Sequence, residues 1–185
     1  MVEEICLQQH YLNGKPLQTI YFGGGTPSLL HAQEIALLLT TIYNVHQVLP
    51  VPEVTLEAYP DDLTTEKLAA LRFAGINRLS IGIQSFDDKM LQYLNRSHSS
   101  AAAVGCVADA RAVGFVNISI DLIYSIPGLT NDLWLRDIQQ AISLSPSHIS
   151  AYSLTIEPRT AFGNRAPKVR VAMVRGDVAA TQLDI

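Results

Sequence analysis

The chain has 185 residues, 48% hydrophobic and 16% charged, with a formal net charge of -4. That length supports one well-buried core, so a single domain is the first expectation, and the weakly acidic balance argues against nucleic acid or an anionic membrane as partner. No apolar run reaches the ~18 residues of a membrane span, and the acidic Met-Val-Glu-Glu start does not read as a signal peptide.

In chain order, residues 19–22 (Thr-Ile-Tyr-Phe) read as a strand that stops at Gly23, Gly24 and Gly25, followed by Thr26, Pro27 and Ser28. A helical pattern runs through SLLHAQEIALLLTTIYNV, with Ser28 as its N-cap. Residues 53–58 read as a second strand. TTEKLAALRFAG is a helix with Thr64 as N-cap and Gly75 just past its end. Residues 78–84 form a third strand, after which Ser85 and Asp88 resemble a capping box for FDDKMLQYL. SSAAAVGCVADARAVG is a helix ending at Gly114, residues 116–124 a fourth strand, TNDLWLRDIQQAISL a helix, and residues 148–156 a fifth strand. The two cysteines, Cys6 and Cys106, have no CxxC spacing, which predicts a reducing compartment, the cytoplasm, and no disulfide or metal site of the chain's own.

Alternating strands and helices predict a parallel sheet with helical crossovers. AGINRLSIGIQ and VGFVNISIDLI each pass from a helix end through a glycine into a strand. This repetition favours an α/β fold of the partial TIM-like (βα) barrel type over a doubly wound sheet, which stays open. The barrel core is expected over residues 1–162. Residues 163–185 read as a linker and the start of a further helix.

In parallel α/β folds, function collects at the C-terminal strand ends. There stand the glycines with Thr26, then Glu57, Gln84, Asp121 and Thr155. Each has a plainer explanation. The glycines mark a turn, Glu57 pairs with Arg78, Gln84 caps the next helix, Asp121 holds a loop, and Arg96 is a surface cation. The five histidines show no ligand spacing, and Cys106 reads as a small buried hydrophobe. The glycine run is neither a Rossmann fingerprint nor a P-loop, and no nucleophile elbow is present. Its bare main chain suits a ligand with both a carboxylate and an ammonium, such as an amino-acid headgroup.

The stretches YFGGGTPSLL, LEAYP, NRLSIGIQSFDDKMLQYLNRSHS, NISIDLIYSIPG and HISAYSLTIEPRTAFG resemble, in order and spacing, the radical S-adenosylmethionine (SAM) superfamily. Within it they look like the oxygen-independent coproporphyrinogen III oxidase-like group, and LTIEPRTAFG is closer to the HemW-type haem chaperones than to the decarboxylating oxidases. The resemblance implies SAM as cofactor, with Gly24, Gly25 and Thr26 on its methionyl part and Glu57 on its headgroup or ribose. Gln84, Arg96 and Asp121 match further SAM contacts, and Thr155 a backbone contact near the adenine. An Arg suits the SAM carboxylate and an Asp the ribose hydroxyls. For the full-length family it also implies haem or a porphyrinogen as partner and a [4Fe-4S] cluster on a CxxxCxxC motif after the first barrel strand.

That motif is not in this sequence, and Cys6 stands alone where three thiolates are needed. The expectation is therefore a fragment or truncated gene that lacks the first strand and the C-terminal domain. It should be inactive as it stands, because reductive cleavage of SAM takes its electron from the cluster. A non-catalytic remnant or nucleoside-binding module is the alternative. A TIM-type hydrolase using Glu57 and Asp121 lacks any matching motif.

Overall fold

A computed structural model describes residues 1–155 and 176–185. In chain order it has α1 (Val2–Leu7), β1 (Leu17–Phe22), a 3-10 turn (Pro27–Leu29), α2 (Ala32–Val45), β2 (Val48–Ala58) and a second 3-10 turn (Pro60–Asp62). Then come α3 (Thr65–Ala74), β3 (Arg78–Gln84), α4 (Asp88–Tyr93), α5 (Ser100–Ala112), β4 (Asn117–Tyr124), α6 (Asn131–Ser143), β5 (His148–Ser153) and α7 (Gly176–Asp184). The five strands form one sheet in the order β1-β2-β3-β4-β5, and every neighbouring pair is parallel. A doubly wound sheet reverses its strand order at a switch point. Here each strand lies beside its chain neighbour throughout, so the sheet is an arc of a barrel, as the repeated units predict. Register brings the strand ends together: Phe22 pairs with Leu56, Ala58 with Ile81, Gly82 with Asp121, and Tyr124 with Ser153.

Side chains alternate between the two faces of a strand. On one face Val54, Leu56, Leu79, Ile81, Ile118 and Ile120 are at most 1% exposed and pack with Leu39, Leu68, Leu71, Val107 and Trp134 of the helices. Each such side chain contributes roughly 1.5–3 kcal/mol on burial. Parallel strands covered on both faces read as unbroken apolar runs. These strands instead put Thr55, Glu57, Ser80, Gln84 and Asp121 on the other face, so that face is built to meet polar groups.

The helix ends fall partly where the sequence places them. Thr64 Oγ1 accepts from Lys67 N at 3.2 Å, and Gly75 ends α3 at φ +114°. An alanine there would enter the left-handed region with its Cβ 3.2 Å from Leu39 Cδ1. Gly75→Ala should therefore cost about 1–2 kcal/mol in a urea titration.

Two expected caps are corrected. Ser28 does not cap α2: it is fully buried in the first 3-10 turn, where its Oγ donates to Asp62 Oδ2 at 2.5 Å. Lys67 Nζ also donates to the Ser28 carbonyl. α2 starts after His31, whose N–H donates to Glu34 at 2.8 Å. The Ser85–Asp88 box does not form either. An Asp side chain is one methylene shorter than the Glu that reaches back in such a box. Asp87 caps α4 instead, accepting from Lys89 N and Met90 N at 2.9 and 3.1 Å, while Asp88 accepts from Ser100 N. The sequence reading also missed α1 and began β2 five residues late. The expected domain boundary at 162/163 and the end of the fifth strand at 156 lie outside the described residues.

Candidate functional site

The glycine run has two separate physical causes. Gly24 and Gly25 both take left-handed backbone, at φ +75° and +62°, which glycine adopts at least cost. Gly23 does not, but a Cβ on it would lie 2.6 Å from Tyr21 Cε1 and 3.1 Å from Glu57 Oε1. The chain is therefore pressed against the ring and the carboxylate that flank it.

Glu57, near the end of β2, accepts from Tyr21 Oη at 2.7 Å and from Gly24 N at 3.2 Å. Burial, and then the bond to the Glu57 carboxylate, push the Tyr21 phenol up to about 12. Arg78 is not its partner. The guanidinium lies 3.7 Å from Glu53 and donates to Thr55 Oγ1 at 3.3 Å, lower on the same face.

Gln84 ends β3 with φ +74°, unusual for a residue with a Cβ, and is 8% exposed. Its Nε2 would be 2.6 Å from a Cβ on Gly82, so its side chain curls back over that glycine beside the Tyr59 ring. It does not cap the following helix. Gly82→Ala should displace the Gln84 amide, an effect readable in the side-chain amide signals of a labelled sample.

Asp121 of β4 accepts from Ser80 Oγ at 3.0 Å through Oδ2, while its Oδ1 is buried with no hydrogen-bond partner. Burial raises its pKa and the Glu57 charge adds to the rise, against the pull of the Ser150 and Ser80 hydroxyls and of Arg78. A carboxyl whose pKa is raised on folding favours the protonated native state. Its contribution to stability is present at low pH and is lost as pH rises through the folded pKa. Asp121→Asn should flatten part of that decline, seen by comparing urea melts of the two proteins across the acid and neutral range.

Gly25, Thr26, Glu57, Gln84 and Asp121 line one cleft of about 320 Å³, bordered by Tyr59 and by Tyr152 of β5. Gly24 contributes its N–H to Glu57. Arg96 and Thr155 do not line it. Arg96 lies over the Tyr59 ring at 4.8 Å and faces an adjoining cavity of about 180 Å³ that Tyr59 shares. Thr155 is exposed beyond β5. Tyr21, Tyr59, Ser80 and Tyr152 were missed by the sequence reading. Ser80 was within reach, since it shares the strand parity of Gly82 and Gln84.

A parallel barrel arc with a glycine loop and three polar strand ends in one cleft defines an α/β protein built to hold a small polar ligand at its rim. The Radical SAM superfamily model matches residues 2–141, and the chain belongs to that superfamily. It is 44% identical over 155 residues to the haem chaperone HemW of Haemophilus influenzae, covering 84% of this chain and 40% of that one. It is 38% identical over 187 residues to HemW of Bacillus subtilis, covering 97% and 49%. Among solved structures, coproporphyrinogen III oxidase (HemN) of Escherichia coli, a radical SAM enzyme, matches with a TM-score of 0.79 at 25% identity, over 96% of this chain and 39% of that one. The chain thus spans less than half the length of each of these relatives.

The cleft fits SAM in its chemistry. It offers carboxylates for an ammonium or sulfonium and an unpartnered buried acceptor for a hydroxyl. The residues present do not fit an iron–sulfur cluster. Three thiolates are required, and the sequence holds Cys6, exposed on α1, and Cys106, buried in α5. Burial pushes the Cys106 thiol up to about 12, away from the thiolate a metal needs. No helix among the described residues is long and apolar enough to cross a membrane.

Proposed function

We propose that this chain is the SAM-binding barrel core of a radical SAM protein of the haem-chaperone kind, within the coproporphyrinogen III oxidase-like group. The convergence of Gly25, Thr26, Glu57, Gln84 and Asp121 on one cleft carries the reading. Glu57 and the Gly24–Thr26 main chain take the methionyl headgroup. Asp121 Oδ1 accepts from a ribose hydroxyl, and the Gln84 amide adds a neutral donor and acceptor. Arg96 supplies the cation for the SAM carboxylate from beside Tyr59, and the Thr155 main chain lies toward the adenine. Bound SAM supplies radical chemistry once an electron reaches it. These residues bind and orient it and deliver no electron themselves, so the 185-residue chain binds SAM without turning it over.

The relatives' names favour haem over a porphyrinogen as partner of the whole protein, and the cytoplasm is the proposed compartment. Likeness to HemN supports the alternative within the group, porphyrinogen oxidation.

Calorimetric titration of SAM into the purified chain tests the reading. With barrel contacts alone, the expected Kd is about 100 μM or weaker, about -5.5 kcal/mol at most. Arg96→Ala should remove measurable binding, while Cys106→Ala should leave it unchanged. Sub-micromolar affinity without iron, or no binding at millimolar SAM, would sink the proposal. Anaerobic treatment with iron and sulfide should leave no cluster absorbance, and stoichiometric iron at about four per chain would contradict the thiolate argument.

A further inference from the structure

On the other side of β3 from the cleft, α6 carries a carboxylate for which SAM binding has no use. Asp137 is 2% exposed, and both its oxygens are engaged at the turn between β3 and α4. Ser85 Oγ donates to Oδ2 at 2.7 Å, and Phe86 N donates to Oδ1 at 2.8 Å. Ser85 is fully buried, and its Oγ also accepts from Asp87 N at 3.1 Å. The residue immediately before this pair is Gln84, with its left-handed φ of +74°. On the other flank of Gln84, the Ile83 carbonyl lies 3.0 Å from Nε2 of the buried His98.

A non-glycine residue keeps such a backbone only where its surroundings over-determine it. Gln84 is held on both sides by buried side chains from other elements. A buried carboxylate is expensive to keep unless each oxygen is hydrogen-bonded, and here each is. The turn it ties is the one that sends the Gln84 side chain back over Gly82 into the cleft.

We propose that Asp137 is a positioning residue of the cleft, whose two hydrogen bonds to Ser85 and Phe86 fix the left-handed turn that aims Gln84 at the ligand. Its consequence for ligand binding rests on the SAM reading, whereas its consequence for Gln84 geometry does not. The charged groups facing Asp137 are Asp87, at the start of α4, and Arg136 on its own helix. Burial raises the Asp137 pKa, opposed by the Ser85 and Phe86 bonds.

The test follows two nuclear magnetic resonance signals of the labelled 185-residue chain during acidification. The Phe86 backbone amide reports on Asp137 directly, and the Gln84 side-chain amide reports on the cleft. In the wild type both should share one titration step, with a midpoint above the ordinary carboxylate range. Asp137→Asn should abolish that step in both signals, leaving in Gln84 only what the titration of Asp121 contributes. Ser85→Ala keeps the charge but drops one tether, and should shift the Gln84 signal at neutral pH. If Asp137→Asn does not fold, the Ser85→Ala comparison decides alone.

The binding arm expects SAM Kd to rise about tenfold in Asp137→Asn, the loss of one well-placed hydrogen bond. A Phe86 signal that titrates while Gln84 stays still, or a Gln84 signal unmoved in Ser85→Ala, overturns the inference. Movement of Gln84 with unchanged SAM affinity overturns its ligand half. Movement of Gln84 in a wild type that takes up no SAM leaves the positioning role standing and refutes the SAM reading.

Discussion

Glu57→Gln should weaken SAM binding by about 10- to 100-fold while lowering the melting temperature by only about 2–4 °C. The substitution is close to isosteric, and its remaining carbonyl oxygen can still accept from Tyr21 Oη, which lies 2.7 Å from Glu57 Oε1. The loop loses one bond: Gly24 N, 3.2 Å from Oε2, then faces the new amide group and has no acceptor there, at a cost of about 1 kcal/mol. The larger loss for a ligand is electrostatic. What disappears is the negative charge beside the glycine loop, where a cationic headgroup would dock. Hydrogen bonds to charged groups contribute about 1.5–3 kcal/mol, and each 1.4 kcal/mol is a factor of ten in affinity. Asp121 lies in the same cleft and feels the Glu57 charge, which adds to the rise in its pKa. Removing one of two nearby carboxylates should thus also let Asp121 ionise at lower pH. Titrations at several pH values would show both effects. Unchanged affinity in Glu57→Gln would mean that the cation, if any, binds elsewhere, and the headgroup assignment would fail.

The barrel arc was legible because parallel βα units carry their order in the sequence and because Thr64 and Gly75 punctuate α3 with the residues its ends require. The rim was legible too. Glu57, Gln84 and Asp121 sit at strand ends where charge and amide groups break apolar runs. What escaped was long-range. Nothing local to Tyr21 says that its hydroxyl meets a carboxylate 36 residues on. Ser85 has the local form of a helix cap, yet its partner is Asp137, 52 residues away. Arg96 follows a helix as any surface cation might do in sequence, and its place over Tyr59 depends on how the loop after α4 folds back. In the sequence the glycines offer bare main chain for a ligand. The structure adds that one of them is bare because a ring and a carboxylate of the same chain press on it.

Trp134→Ala should cost about 3–5 kcal/mol, the range for truncating a large buried aromatic. Trp134 is 2% exposed and packs on Tyr124 at 5.7 Å between ring centroids. Its Nε1 donates to the Gln182 carbonyl of α7 at 2.7 Å, so the loss leaves a cavity and also strips a buried acceptor. Gln182 is itself 1% exposed: its Oε1 accepts from Ser125 N at 2.8 Å, and its Nε2 donates to the Leu129 carbonyl at 2.9 Å. One side chain of α7 thus satisfies both ends of the loop leaving β4. Against a total stability of about 5–15 kcal/mol, the substitution leaves little margin. At roughly 2–4 °C per kcal/mol for a chain of this size, the melting temperature should fall by about 6–20 °C. Gln182→Ala should cost less but should speed hydrogen exchange at the Ser125 amide, which loses its acceptor. Phe73→Ala is the control, because Phe73 is 96% exposed and should change stability by no more than about 0.5 kcal/mol. If Trp134→Ala and Phe73→Ala melt together, or if the Ser125 amide stays protected without Gln182, then α7 does not hold the β4 loop and its contacts contribute nothing to the barrel.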